Sequence, residues 1–135
     1  MEIMFKQPID FSLKVIEIDD HVLSMCVQIQ IVVFQFQHVC HYDGSFWIEC
    51  ASWDEFMDSL QTSSLQEAIL RDMSGYFLLT LRRTEEGLLF VWEFTKTDVG
   101  SDRRMTVVFS SKIDDDVLGK IKSEFLSFPV WWKST

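Results

Sequence analysis

The stretch VQIQIVVFQFQH, residues Val27–His38, alternates apolar and polar side chains but changes phase in its middle. Up to Val33 the apolar residues fall on odd positions, and afterwards they fall on even ones, at Phe34 and Phe36. Successive side chains of a β-strand point to opposite faces of its sheet. The stretch therefore predicts a strand that exchanges its buried face partway along.

The strand implied by this stretch is too long to be straight. The 18 residues from Val22 to Val39 contain no glycine or proline, and at about 3.3 Å per residue they would extend roughly 60 Å. A domain of this size has a radius of gyration of only about 14 Å. We therefore expect a bend at Val32–Phe34, where a β-bulge would turn the later side chains to the other face.

The segments on either side predict antiparallel neighbours for the long strand. FSLKVIEI, residues 11–18, alternates as a strand does, and the polar residues 19–21 predict a turn. On the other side, Asp43-Gly44 is a dipeptide that tight hairpin turns favour because both positions accept a positive φ. We therefore predict a hairpin closed at Asp43-Gly44, with a return strand running to Cys50.

Two helices and three further strands are predicted from periodicity. Apolar residues at helical spacing indicate a helix near 53–61, in which Ser52 and Glu55 fit a capping box. Three aspartates followed by apolar residues and late lysines predict a second helix near 114–126. Strands are expected near 76–83, 88–96 and 104–110, with the middle one covered on both faces. Residues 65–75 are expected to hold a short helical turn.

Together these elements predict a single α+β domain over residues 1–135. Its main part is an antiparallel sheet of about six or seven strands, one of them long and bent, against which the two helices pack. The closing SFPVWW is expected to be an aromatic, non-helical tail.

Charge and hydropathy exclude several classes of function. The net charge is −9, and residues 1–60 hold ten acids and two bases while residues 61–135 hold eleven and ten. Such a chain is repelled by nucleic acids and anionic membranes but permits a basic partner. No apolar run approaches the roughly 20 residues of a membrane span, and the start has no leader pattern. We expect a cytoplasmic protein.

No catalytic or cofactor motif stands out. HVCH at 38–41 offers metal ligands, but a strand places His38 and Cys40 on one side and His41 on the other, and a separated further ligand is missing. No serine or cysteine lies beside a recognisable base, and no glycine-rich phosphate loop is present. We expect no metal, no cofactor and no enzyme. Three cysteines without CxxC spacing predict free, buried thiols at Cys26, Cys40 and Cys50.

The order of several motifs suggests a family. WDEFMDSL at 53–60, GYFLLTL at 75–81, GLLFVWEF at 87–94, a V.F strand and a terminal helix ending in FP resemble small bacterial proteins related to WapI-type immunity proteins. The likeness runs from about Phe11 to Pro129 and lies mainly in core positions. It implies a binding protein that neutralises a basic, nuclease-like toxin by stoichiometric binding.

The expected partner surface is acidic. It comprises Asp54, Glu55 and Asp58 on the outer face of the first helix, together with Asp19 and Asp20 in the turn before the long strand. Trp131 and Trp132, an aromatic pair at the chain end, are expected to make a homodimer contact.

Two alternatives remain open at the level of sequence. One is a small-ligand-binding or enzymatic domain with a cleft beside the bent strand, lined by His38, Cys40 and aromatic residues. The other is a housekeeping domain that has no dedicated partner.

Overall fold

The computed structural model describes residues 2–133, and in them eight strands and two α-helices. In chain order these are β1 (Glu2–Phe5), β2 (Asp10–Asp19), β3 (Ser24–Gln35), β4 (His38–Glu49), α1 (Cys50–Gln61), β5 (Glu67–Arg71), β6 (Phe77–Thr84), β7 (Gly87–Thr97), β8 (Arg104–Ile113) and α2 (Asp115–Leu126), followed by a short 3-10 helix, Trp131–Lys133.

The strands form two four-stranded antiparallel sheets in simple chain order. Sheet A runs β1-β2-β3-β4 and sheet B runs β5-β6-β7-β8. The predicted α+β class with antiparallel sheets and two helices is confirmed, but the predicted count of six or seven strands is too low. The strands missed are the two short ones: β1 with four residues and β5 with five, the latter in the segment expected to hold a helical turn. In segments of four or five residues, periodicity does not distinguish a strand from other structures.

The bend expected at Val32–Phe34 is wrong. β3 and β4 pair in unbroken register from Ser24 opposite Glu49 to Gln35 opposite His38. The chain reverses at Phe36 and Gln37, whose φ angles are 53° and 66°. Phe34 stays on the outer face of sheet A, so the change of phase marks a switch from core residues to exposed aromatic ones.

The hairpin turn expected at Asp43-Gly44 is also wrong, because both residues lie within β4, opposite Gln30 and Ile29. The presence of a glycine at position 44 has a different structural reason. A Cβ atom there would lie only 2.5 Å from the hydroxyl oxygen of Tyr42. The glycine therefore leaves room for the tyrosine side chain over the strand. A register shift of sheet A falls instead in β2, between Val15 and Glu17.

The inner faces of the two sheets share one core. Aromatic rings connect them, with centroid separations of 6.1 Å for Phe5 and Phe90 and 5.3 Å for Phe46 and Phe77. The core continues into the helices, where Phe125 of α2 lies 5.6 Å from Trp53 of α1. Apolar contact over this area is the main source of stability.

Strand β7 is an interior strand, but only one of its faces is covered. Its residues Leu88, Phe90, Trp92 and Phe94 are buried, whereas Leu89 and Val91 on the other face are half-buried. The expectation that both faces are covered is therefore wrong, because the residues on the outer face of β7 stay partly exposed.

Both predicted helices are present, with different starts. α1 begins at Cys50, and its N-cap Glu49 makes no side-chain hydrogen bond, so the predicted capping box at Ser52 and Glu55 is wrong. α2 is capped by Asp114, whose carboxylate accepts a hydrogen bond of 2.8 Å from the backbone N–H of Val117. Among the helices of residues 2–133, none has the length and apolar character to cross a bilayer.

Candidate functional site

The hairpin formed by β3 and β4 extends beyond its sheet. β2 pairs with β3 no farther than Val32, which lies opposite Asp10. β4 has β3 as its only strand neighbour within the described sheets. Residues 33–40, called the hairpin tip below, therefore pair only with each other, and residues 34–40 are all exposed.

The hairpin tip carries large apolar side chains in water. Phe34 is 69% exposed, Phe36 88% and Val39 53%. Phe34 lies directly opposite Val39 on the outer face of sheet A, and Phe36 occupies the turn between them. Clustered exposed apolar residues mark interaction surfaces, because a protein gains nothing in folding from leaving them in water.

The backbone of the turn is unfavourable for its residues. Positive φ at both central positions is the geometry of a type I′ turn, which asparagine and glycine adopt with least strain. Here the two positions are Phe36 and Gln37, and a bulky residue at positive φ is an outlier. A strained aromatic residue that contributes nothing to the core indicates a functional role. The FQFQ pattern was the sequence signal of this tip.

Two of the five acids expected to bind a partner are engaged within the chain. The carboxylate of Asp19 accepts hydrogen bonds from the backbone N–H groups of His21 (2.8 Å) and Val22 (3.2 Å), and these hold its pKa below the usual value. Asp54 accepts from the indole N–H of Trp132 at 3.1 Å and forms an ion pair of 3.2 Å with Lys133.

The other three acids, Asp20, Glu55 and Asp58, are exposed and have no ion pair with any residue from 2 to 133. The carbonyl of Leu23 accepts a 2.9 Å hydrogen bond from the backbone N–H of Cys50, which holds the β2–β3 turn beside the start of α1. The β2–β3 turn, which carries Asp20, thus meets the start of α1, the helix that carries Glu55 and Asp58, at the end of β3 away from the hairpin tip. This turn and α1 are called the acidic end below. That end and the hairpin tip are separated by the 12 residues of β3, which span about 40 Å.

The aromatic pair at the chain end folds back on the protein. Trp131 and Trp132 are both half-buried, with ring centroids 5.5 Å apart, and Trp132 packs against the core besides its bond to Asp54. Contacts within the chain thus bury part of the surface of these two tryptophans, and a homodimer contact through them stays a prediction.

The histidines and cysteines do not form a common site. His38 and Cys40 lie in the hairpin tip, and Cys40 is exposed, so the expectation that all three thiols are buried is wrong for this one. Cys26 and Cys50 are buried, and burial, followed by the charge of Asp54, raises the pKa of Cys50 to about 11. Within the part of the chain that the structure describes, no three metal-ligating side chains come together.

A cleft of about 490 Å³ opens between β4 and the turn that joins β5 to β6. It is called the β4 cleft below, and its main lining residues are Tyr42, Trp47, Asp72, Tyr76, Phe94 and Lys96. A backbone hydrogen bond of 2.7 Å from Met73 to the carbonyl of Trp47 ties the turn to β4. The cleft expected from sequence was to be lined by His38 and Cys40, but these lie on the hairpin tip, and His41 lines it instead.

Comparisons with protein-family models, with curated proteins and with solved structures give no match for this chain.

Proposed function

We propose that this chain is a non-catalytic protein-binding domain that docks a basic protein through the hairpin tip. The observation that carries the proposal is the exposure of Phe34 and Phe36 at the hairpin tip, where the backbone of the turn strains Phe36. Aromatic side chains that enter a partner's pocket supply most of the binding energy of many interfaces.

The distribution of charge supports a basic partner. Residues 2–61, which build sheet A and α1, hold ten acids and two bases, whereas the remainder of the chain is nearly balanced. The hairpin tip thus belongs to the half of the molecule with an excess of eight negative charges. A field of this sign attracts a basic protein and repels nucleic acids.

The acidic end and the hairpin tip would have different tasks. Asp20, Glu55 and Asp58 lie outside the tip and have no ion pair between residues 2 and 133, so they would act through the long-range field on the rate of encounter. Phe34, Phe36 and Val39 would make the contacts that slow dissociation.

A toxin is the kind of partner that the resemblance to WapI-type immunity proteins supports. A nuclease-like toxin needs a basic surface to bind nucleic acid, and an acidic protein that covers this surface would block it. In this proposal the complex is stoichiometric and forms in the cytoplasm.

The proposal is tested with the protein encoded by the neighbouring reading frame. Isothermal titration calorimetry should show a one-to-one complex, and the F34S/F36S variant should weaken it at least tenfold. The matched control is V99S, which changes a side chain that is 99% exposed in the loop before β8 and should bind as the wild type does. A neighbouring protein that does not bind, or that binds F34S/F36S with unchanged affinity, contradicts the proposal.

A further inference from the structure

Asp72 is a buried carboxylate that lacks a positive partner. The residue is 5% exposed, and its Oδ1 accepts a 2.9 Å hydrogen bond from the backbone N–H of Phe77. No lysine, arginine or histidine between residues 2 and 133 forms an ion pair with it. A buried charge is unfavourable unless a counter-ion or several hydrogen bonds compensate it. Because Asp72 lines the β4 cleft, a counter-ion can reach it from solvent.

The walls of the cleft are aromatic and suit a cation. The ammonium group of Lys96 already lies 5.5 Å from the ring centroid of Tyr76, which is the geometry of a cation–π contact. Opposite, burial and then the negative charges of Asp72 and Asp43 raise the pKa of Tyr42. The electrostatic potential that these two carboxylates produce at the Tyr42 hydroxyl is negative.

The cleft is shaped by specific residues. Gly44 provides the space in which the side chain of Tyr42 lies, and the hydrogen bond from Met73 to Trp47 fixes the turn that carries Asp72 next to β4. The volume of the β4 cleft, about 490 Å³, falls within the range of small-molecule sites.

We infer that the β4 cleft binds an organic cation, a guanidinium or primary ammonium group, with Asp72 as its counter-ion and the rings of Tyr42 and Tyr76 as its walls. Lys96 competes for the ring of Tyr76 and is displaced when the cation enters. The cation has two sources. It is an arginine or lysine side chain of the basic partner, in which case the inference rests on the proposed function, or it is a free amine.

The test uses capped amino acids and so needs no partner. N-acetyl-L-arginine methylamide should shift the NMR signals of Trp47 and Tyr76 saturably, whereas the uncharged citrulline analogue should bind at least tenfold more weakly. D72N keeps the oxygen that accepts from Phe77 and removes the charge, and it should weaken arginine binding at least tenfold. E85Q removes an exposed acid of the β6–β7 turn, outside the cleft, and should leave the binding unchanged.

A second variant keeps the inference testable if D72N does not fold. K96M removes the competing ammonium group from an exposed position, and it should tighten binding of the arginine probe severalfold. Equal binding of the arginine and citrulline probes, unchanged binding by D72N, or weaker binding by K96M would overturn the inference, as would the absence of any shift at millimolar probe.

Two arms separate the sources. Micromolar binding of agmatine or putrescine indicates that the cation is a free amine. Millimolar binding of the capped probes, together with weaker binding of the neighbouring-frame protein by D72N, indicates that the cation is a side chain of the partner. A failure of the neighbouring protein to bind would remove the proposed partner and leave the result with the small probes intact.

Discussion

At the scale of single residues, Asp54 shows how an acid that looks free in the sequence is used inside the fold. Its carboxylate joins α1 to the C-terminal segment through the indole of Trp132 and the ammonium group of Lys133. Helical periodicity places Asp54 on the outer face of α1, but nothing in the sequence reports that a segment 78 residues away returns to cover it.

This contact predicts energetic coupling between Asp54 and Trp132. In a double-mutant cycle of D54A and W132F, the two changes should be non-additive by about 1 kcal/mol in the free energy of unfolding, because either one removes the same hydrogen bond. The measurement is urea denaturation. K133M is the control and should change stability by less than about 0.5 kcal/mol, since its ion pair is exposed. Additive effects would show that the bond contributes nothing.

The three thiols should differ in reactivity. Cys40 is exposed, whereas Cys26 and Cys50 are buried with raised pKa values, that of Cys50 being about 11. At pH 8 only about one part in a thousand of the Cys50 thiol is then ionised, and the thiolate is the reactive form. Titration of the folded protein with Ellman's reagent should show one fast equivalent and, after unfolding, three.

The C40S variant is the control for this titration and should show no fast equivalent. Two or three fast equivalents in the folded wild type would mean that the buried thiols are accessible.

At the scale of elements, the β3–β4 hairpin has one part that stabilises the fold, its paired strands, and another part that does not, its turn. The paired strands are held by a continuous ladder, yet the turn places Phe36 and Gln37 at positive φ. Strain of this kind costs of order 1 kcal/mol or more per residue. A sequence selected for stability alone would have asparagine and glycine here.

Replacing the turn should therefore stabilise the protein. F36N/Q37G relieves the strain and removes an exposed ring, and it should raise the free energy of unfolding by about 1 kcal/mol. Urea denaturation measures the change, and F34S, which alters an exposed side chain without changing the turn, is the matched control. A variant no more stable than the wild type would show that the turn is not strained.

The same hairpin shows what the sequence can and cannot predict. Alternation located β3 and the second half of β4, where Phe46 and Ile48 are buried, because these parts have one buried face. It misplaced the turn, because Asp43-Gly44 is the better turn dipeptide and the glycine is instead required by the side chain of Tyr42. Local preference was overridden by tertiary packing. The pattern indicated that Phe34 and Phe36 are buried, because it does not show that β2 ends opposite Val32 and leaves the hairpin beyond that residue uncovered.

At the scale of the whole molecule, the charge asymmetry of the sequence becomes an asymmetry in space. Residues 2–61 fold into sheet A and α1, so their excess of acids stays together instead of being mixed with the bases of sheet B. The imbalance was visible in the sequence. The position of the acidic end opposite the hairpin tip was not, because it depends on which strands pair.

The central claim is that a basic partner docks on the hairpin tip, and cross-saturation NMR tests it most directly. With this chain deuterated and the neighbouring-frame protein protonated, saturation of the partner should reduce the amide signals of residues 33–40 most strongly. Amides of α2, which lines neither the hairpin tip nor the β4 cleft, should be unaffected and serve as the internal control. Saturation transfer confined to sheet B, with the hairpin tip unchanged, would contradict the account.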